Sequence, residues 1–419
     1  MPPIPAVRAL EAIPFENEGK PLVVLQDPHR FLENPISLTF PAYMLMTLMD
    51  GSRDAAEICE LFMSEYKGRV TEAEVEQFAG ELDELGLLLN ERFEEMQKAA
   101  LEEWANAPVR PAAFAGKAYP AKPDAIRKEL DKHYEALQQA TKENERPPFP
   151  PRDGEILRAI VAPHIDPQVG GPAAAFAFEA LRKANTKPDV FIIFGTAHQP
   201  GGGLYIATDK DFETPLGRVE TDKELFKQLQ SRYGADLKTG DYVHKTEHSI
   251  EFQVLFLQHL YPDHDFKILP ILVGSFHEYI QDNVIPDSEP EVADFSRALR
   301  DAIAETGRDV CYVAGADLSH MGQKFGDADP LSDGFIDATR KKDREMLEHL
   351  MRGDRQGFFR HLQIDEDKQK VCGLPPIYAM LDAMGDECRG ELLEYDLNVE
   401  EQTQSFVSYT SMAFYGKKA

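Results

Sequence analysis

Residues 156–166 read ILRAIVAPHID, and this stretch decides the fold. A short apolar run, too brief for a helix and bounded by proline, suits a buried strand. It delivers His164 and Asp166 at its end. Two later stretches repeat the arrangement. DVFIIFGT at 189–196 leads into Ala197-His198-Gln199, and DVCYVAGA at 309–316 leads into Asp317-Leu318-Ser319-His320. Amphipathic helical segments separate the runs, which is the signature of an α/β layer fold. In open α/β sheets, ligands bind outside the carboxyl ends of the strands. A single histidine after a buried strand is more often an ordinary hydrogen-bonded residue. Three strand ends that each carry a metal-competent group instead predict one shared site.

Cys372 lies in VCGLPP (371–376), just before the apolar stretch 377–384. Pro375 suits a first helical turn. Cys372 would then sit at the positive end of a helix, which favours a thiolate acting as soft metal ligand or nucleophile. The bland alternative is a small buried apolar side chain. The run EHSIE (247–251) precedes an amphipathic helix over 252–260. Ser249 or His248 is expected to cap that helix, with Glu251 in its first turn. His248 is then either a general acid/base or orienting donor, or a surface residue beside a cap. His244, His259, His264 and His277, and Cys59, Cys311 and Cys388, have no comparable placement. Glycines 201–203 lack the surroundings of a phosphate-binding loop and read as a loop beside the site. No G-x-S-x-G, H-E-x-x-H or paired C-x-x-C occurs, so serine hydrolase, zincin and zinc-ribbon readings lose their main support.

The chain has 419 residues, a length that suggests two to four domains. It carries 45 Lys+Arg against 73 Asp+Glu, a formal charge of −28, which argues against capture of nucleic acid or anionic membrane. No apolar run reaches membrane-spanning length, no basic-then-apolar leader opens the chain, and the four cysteines form no disulfide framework. A reduced, cytoplasmic setting is expected. The first ninety residues read as a small domain of three helices and a short β-ribbon, a winged-helix shape. Ser52 is expected to cap a helix through about Tyr66. Thr71 and Glu74 form a capping box, Gly86 ends that helix, and 87–89 returns as a strand or wing. The helix at 71–85 has six acidic residues and no Lys or Arg, so it is no DNA-recognition helix. Residues 91–108 read as a charged helical linker, and 109–417 as the α/β domain, with the Pro-rich segment 147–151 a loop inside it.

Two resemblances refine this picture. LVVLQDPHRFLENP (22–35), LMDGSRDAAEIC (48–59) and TEAEVEQFAGELDELGLL (71–88) resemble PqqD-like peptide-recognition domains. That implies a peptide strand added to a sheet edge. The second begins at VRPAAFAGKAYPA (109–121) and runs through VAPHID, FGTAHQ, ETPLGRVETD, TEHSIEFQVLFLQ, ILPILVGS, AGADLSHMG, VCGLPPIYAML and SFVSYTSMAFYG. In this order the motifs resemble Memo-like proteins, and the combination with a PqqD-like domain resembles the B protein of the bacterial AmmeMemoRadiSam system. The resemblance implies a fold like that of class III extradiol dioxygenases and a radical-SAM partner. It also implies metal ligands at His164, His198 and Cys372, with Asp317, His320 and His248 lining the site. The chain departs from the family pattern at Ile165-Asp166-Pro167 and at Gln199, and Asp166 adds a carboxylate.

Imidazole and thiolate favour Fe(II), with Cu or Zn as alternatives, over Mg or Ca. The expected function is a metal-dependent, oxygenase-like redox protein acting on a small or peptide-derived substrate. A non-enzymatic metal-binding and partner-docking module is the alternative, and a metal-assisted hydrolase the third reading.

Overall fold

The computed structural model describes residues 2–417 apart from 18, 33, 144–151, 153 and 386, and leaves the side chains of 140–143 undescribed as well. The Pro-rich segment 147–151 therefore lies outside the described residues. The chain forms two units, Met1–Ala107 and Pro108–Ala419.

In the first unit, β1 (Glu11–Asn17), β2 (Lys20–Gln26) and β3 (Ile36–Thr39) form an antiparallel sheet in that order. Four helices follow: α1 (Phe40–Thr47), α2 (Ala55–Tyr66), α3 (Glu72–Glu84) and α4 (Glu91–Asn106). The Thr71–Glu74 capping box forms as expected, and Gly86 takes a left-handed φ of +68° just past α3. The cap of α2 is Asp54, not Ser52, because the Ser52 hydroxyl is held by Asp50 at 2.6 Å. Residues 87–89 make no strand but a single bridge, Leu88 with Val7. Helix α4, expected as a linker, belongs to this unit: Phe93 and Trp104 are buried, and Phe93 packs edge-on against Phe31. A charged sequence with two well-placed aromatics is enough to dock a helix.

The second unit opens with β4 (Val109–Arg110) and α5 (Pro123–Glu143). β5 (Glu155–Ala162), α6 (Pro167–Lys183) and β6 (Val190–Thr196) come next. Three short strands follow, β7 (Tyr205–Ala207), β8 (Asp211–Thr214) and β9 (Gly217–Val219). Then come α7 (Lys223–Arg232), α8 (Glu251–Leu260), β10 (Lys267–Val273), α9 (His277–Gln281) and α10 (Pro290–Thr306). The unit closes with β11 (Val310–Gly315), β12 (Asp317–Gly322), α11 (Asp333–Met351), α12 (Arg355–Gln363), α13 (Leu374–Met384), β13 (Cys388–Glu400) and β14 (Ser405–Lys417).

β5, β11, β6 and β10 lie side by side and parallel at the centre of the main sheet. Antiparallel strands complete it: β7 beyond β10, and β14 beside β5, with β14 also pairing β12 and β13. A parallel sheet with short apolar strands must be covered on both faces, and here it is. Val190, Ile192 and Phe194 of β6 join one core with Phe295, Phe358 and Ile377 from α10, α12 and α13. Phe191 and Ile193 join the other core with Ile126, Phe178 and Phe252 from α5, α6 and α8. Among the described residues no helix is long and apolar enough to cross a membrane.

Register fixes where the strands end. Gly315 pairs with both Ala162 and Gly195, so three carboxyl ends finish level. Glycine is required there, since Ser249 presses onto them from the loop before α8. A Cβ at 315 would lie 2.2 Å from the Ser249 carbonyl, and one at 195 would lie 2.5 Å from its Oγ. Gly315→Ala should therefore cost about 1–3 kcal/mol through overpacking. Thermal unfolding reads this as a lowered Tm, and an unchanged Tm would mean that the loop can withdraw.

Candidate metal centre

His164 stands two residues past the end of β5, Asp317 two past the end of β11, and His198 two past the end of β6. The level register brings all three to one place. Two neighbours secure it. Ser249 Oγ donates to the Thr196 carbonyl at 3.0 Å, and Thr196 Oγ1 donates to the Cys372 carbonyl at 2.9 Å. Gly373 allows the Cys372 turn to lie flat on Asp317, whose carbonyl a Cβ would meet at 2.2 Å.

The donor atoms of His164, His198 and Cys372 lie within 4.8 Å of one another. His164 Nδ1 donates to the Gly315 carbonyl at 2.9 Å, and its Nε2 faces Cys372 Sγ at 3.3 Å. His198 Nδ1 lies 3.1 Å from both Glu247 oxygens, which leaves its Nε2 free. Each imidazole therefore has one nitrogen tied to an acceptor and the other available, the arrangement by which proteins fix the tautomer of a metal-binding histidine. With a sulfur as third donor, the set fits iron, copper or zinc.

His248 joins the same cluster. Its ring stacks on His198 at 4.9 Å and meets His164 edge-on at 5.2 Å. Phe114 and Phe252 pack against it from the protein side. Burial pushes both His164 and His248 down to about 3, so they are uncharged at neutral pH. For His198 burial also opposes the charge, but the Glu247 carboxylate overcomes it and the net shift is upward. Burial lifts the Asp317 carboxyl, one of whose oxygens accepts the His164 N–H at 2.9 Å.

Glu247 is the anion of the pocket. It accepts the backbone N–H groups of His198, His248 and Ser249 at 2.8–3.1 Å. Burial pushes its carboxyl up, yet His198, His248 and these donors hold it well below the ordinary range. Its site role was not read from the sequence, although an acid directly preceding His248 was the available signal. His198, Glu247 and His248 form a second group of close donors that shares His198 with the first.

Several expectations change. Cys372 does precede a helix with Pro375 in its first turn, but the helix start does not yield a thiolate. Burial, Asp317 and Glu247 push the thiol well up, so a bound cation is what would deprotonate it. Neither Ser249 nor His248 caps α8, which has no side-chain cap. Glu251 does lie in the first turn of α8, where it is also a buried acceptor for Arg110 and Tyr119, and for the backbone N–H groups of Ala113 and Phe114. His320, like Asp317, stands outside both donor groups but within electrostatic reach of His164, His198 and Asp317, with Nδ1 on the Leu318 carbonyl and its ring against Phe325. Asp166 occupies the N-cap position of α6 without making a side-chain cap.

Asp343, also missed, fastens the far side. Its carboxylate accepts Ser319 Oγ and Gln369 Nε2 on one oxygen and Ser408 Oγ and Tyr395 OH on the other. It thereby ties β12, which carries Asp317 and His320, to the segment that leads to Cys372.

Fold and site together define an α/β protein whose mixed sheet ends in a buried pocket of three histidines, a cysteine and two carboxylates. The chain belongs to the Memo-like family, whose profile matches residues 110–413. It is 26% identical to a MEMO1 family protein of Aquifex aeolicus over 413 residues, covering 98% of this chain and 100% of that one. MEMO1 family proteins of Methanosarcina barkeri and Methanococcoides burtonii are 31% and 32% identical, each over 68% of this chain and 92% of their own.

Glu247 orients His198 from outside the three-donor set, and loss of such a partner typically weakens metal binding about 10–100-fold. Glu247→Gln should do so in chelator competition while circular dichroism stays that of the wild type. Unaltered affinity would remove Glu247 from the centre.

Proposed function

We propose that the second unit is a metal-dependent redox protein, oxygenase-like, with iron held by His164, His198 and Cys372, and with copper or zinc as the next choices. The carrying observation is the convergence of two tautomer-fixed imidazoles and a sulfur at level strand ends. Bound iron would supply electron transfer and Lewis acidity. The remaining steps belong to the chain. His248, uncharged and stacked beside His198, offers a substrate a hydrogen-bond acceptor at the imidazole nitrogen turned away from Glu247. Asp317, its carboxyl raised by burial, is suited to hold or return one. Phe114 and Phe252 keep water from the His248 ring on the protein side.

In the same reading the first unit is a PqqD-like module that presents a peptide or docks a radical-SAM partner in the cytoplasm, as in an AmmeMemoRadiSam system. The position of β1 at a sheet edge, with Ile13 and Phe15 exposed, supports strand addition there.

Metal analysis of protein purified without chelators should find iron, and Cys372→Ser should lose stoichiometric binding. Retention of metal by that variant would take Cys372 out of the ligand set. Iron-loaded protein should consume oxygen with catechol-like or peptide candidates. His248→Phe should slow that uptake about tenfold at unchanged iron content. No uptake, together with tight binding of a radical-SAM protein, would favour a docking module without catalysis.

A further inference from the structure

A cavity of about 280 Å³ opens beside Cys372. It is small, just under the roughly 300–1,000 Å³ of drug-sized pockets. Buried Phe276, Ile280 and Leu374 give it apolar walls, and of its charged lining Glu366 is exposed whereas Asp367 and Lys370 are half-buried. The two charges are not equivalent. Lys370 Nζ is committed to Asp327 at 2.7 Å and to the Lys368 carbonyl at 3.2 Å. The Asp367 carboxylate accepts the Val371 N–H at 3.1 and 3.2 Å, and among the described residues no side-chain donor bonds to it. A half-buried carboxylate without a cationic hydrogen-bond partner, next to an apolar wall, is a recognition element for a cation with an apolar body.

The backbone supports a built site. Of the eight non-glycine residues with positive φ among the described residues, three fall in this one wall: Glu366 at +60°, Asp367 at +49° and Lys370 at +52°. Such conformations cost free energy and cluster at ligand clamps and active sites.

We propose that this cavity is a substrate pocket for a small organic ammonium. The apolar body would lie against Phe276, Ile280 and Leu374, the cationic group would pair with Asp367, and Cys372 would be the point of contact with the metal centre. As a substrate pocket it rests on the redox reading above, whereas the binding itself does not. The test is calorimetry on the full chain, metal-free and iron-loaded, with 2-phenylethylammonium, 2-phenylethanol and 3-phenylpropionate as probes. The ammonium should bind at least about tenfold tighter than the other two. Asp367→Asn should erase that preference, and Ile280→Trp, which fills the cavity, should abolish binding without lowering metal content. Equal binding of the three probes, no binding of the ammonium, or a preference that survives Asp367→Asn would overturn the proposal. Should Ile280→Trp fail to fold, the three-probe comparison and Asp367→Asn decide alone. Intact ammonium binding without oxygen uptake would count against the redox reading only. Uptake with another substrate and no ammonium binding would count against the pocket only.

Discussion

The buried ion pair between Arg110 and Glu251 holds the site loop in place. Both side chains are fully buried. Removing one partner from such a pair typically costs about 3–5 kcal/mol, although the intact pair adds little over an apolar replacement. Its value here is geometric. Arg110 also donates to the carbonyls of His244 and Glu247, so one guanidinium fixes the chain from 244 to 251. Glu251 in turn accepts the N–H of Phe114, whose ring backs His248. β4, two residues long and paired with β8, brings Arg110 to this position, with its guanidinium over the Phe212 ring. The opening residues of the second unit thereby set the positions of Glu247 and His248.

From that loop the constraint passes into the sheet. Ser249 can sit on the strand ends only because 195 and 315 are glycine, and its hydroxyl then fixes the Thr196 carbonyl. Thr196 holds Cys372 by its carbonyl, and Asp343 secures β12 and the approach to Cys372 from the other side. The pocket is thus assembled from five separated segments.

Much of this was legible in the sequence, and the boundary is physical. Strands ending in His164, His198 and Asp317 were readable because burial on both faces gives short continuous apolar runs, and because ligands gather at carboxyl ends. Cys372 was readable from the prolines that follow it. The protonation of Cys372 was not, because the local helix start competes with burial and with carboxylates arriving from residues 55 and 125 positions away. Arg110 and Asp343 carry no local signal at all, since their meaning lies in partners brought together by the fold. The helix at 91–106 misread as a linker for a related reason: its charge dominates the composition, whereas two aromatics decide its packing.

The pocket's own groups compensate its buried charge. The net charge of −28 is spread mainly over exposed helical faces, but Glu247 is an anion inside, and its nearest rings include two histidines that burial keeps neutral. Three backbone N–H groups, His198 and His248 offset the cost of burying it. Protonating His198 relieves part of that cost, which is why its pKa rises while those of its neighbours fall. Under the proposed reading, His198 would hold a metal as a neutral imidazole in place of that proton, and Cys372 would hold it as a thiolate.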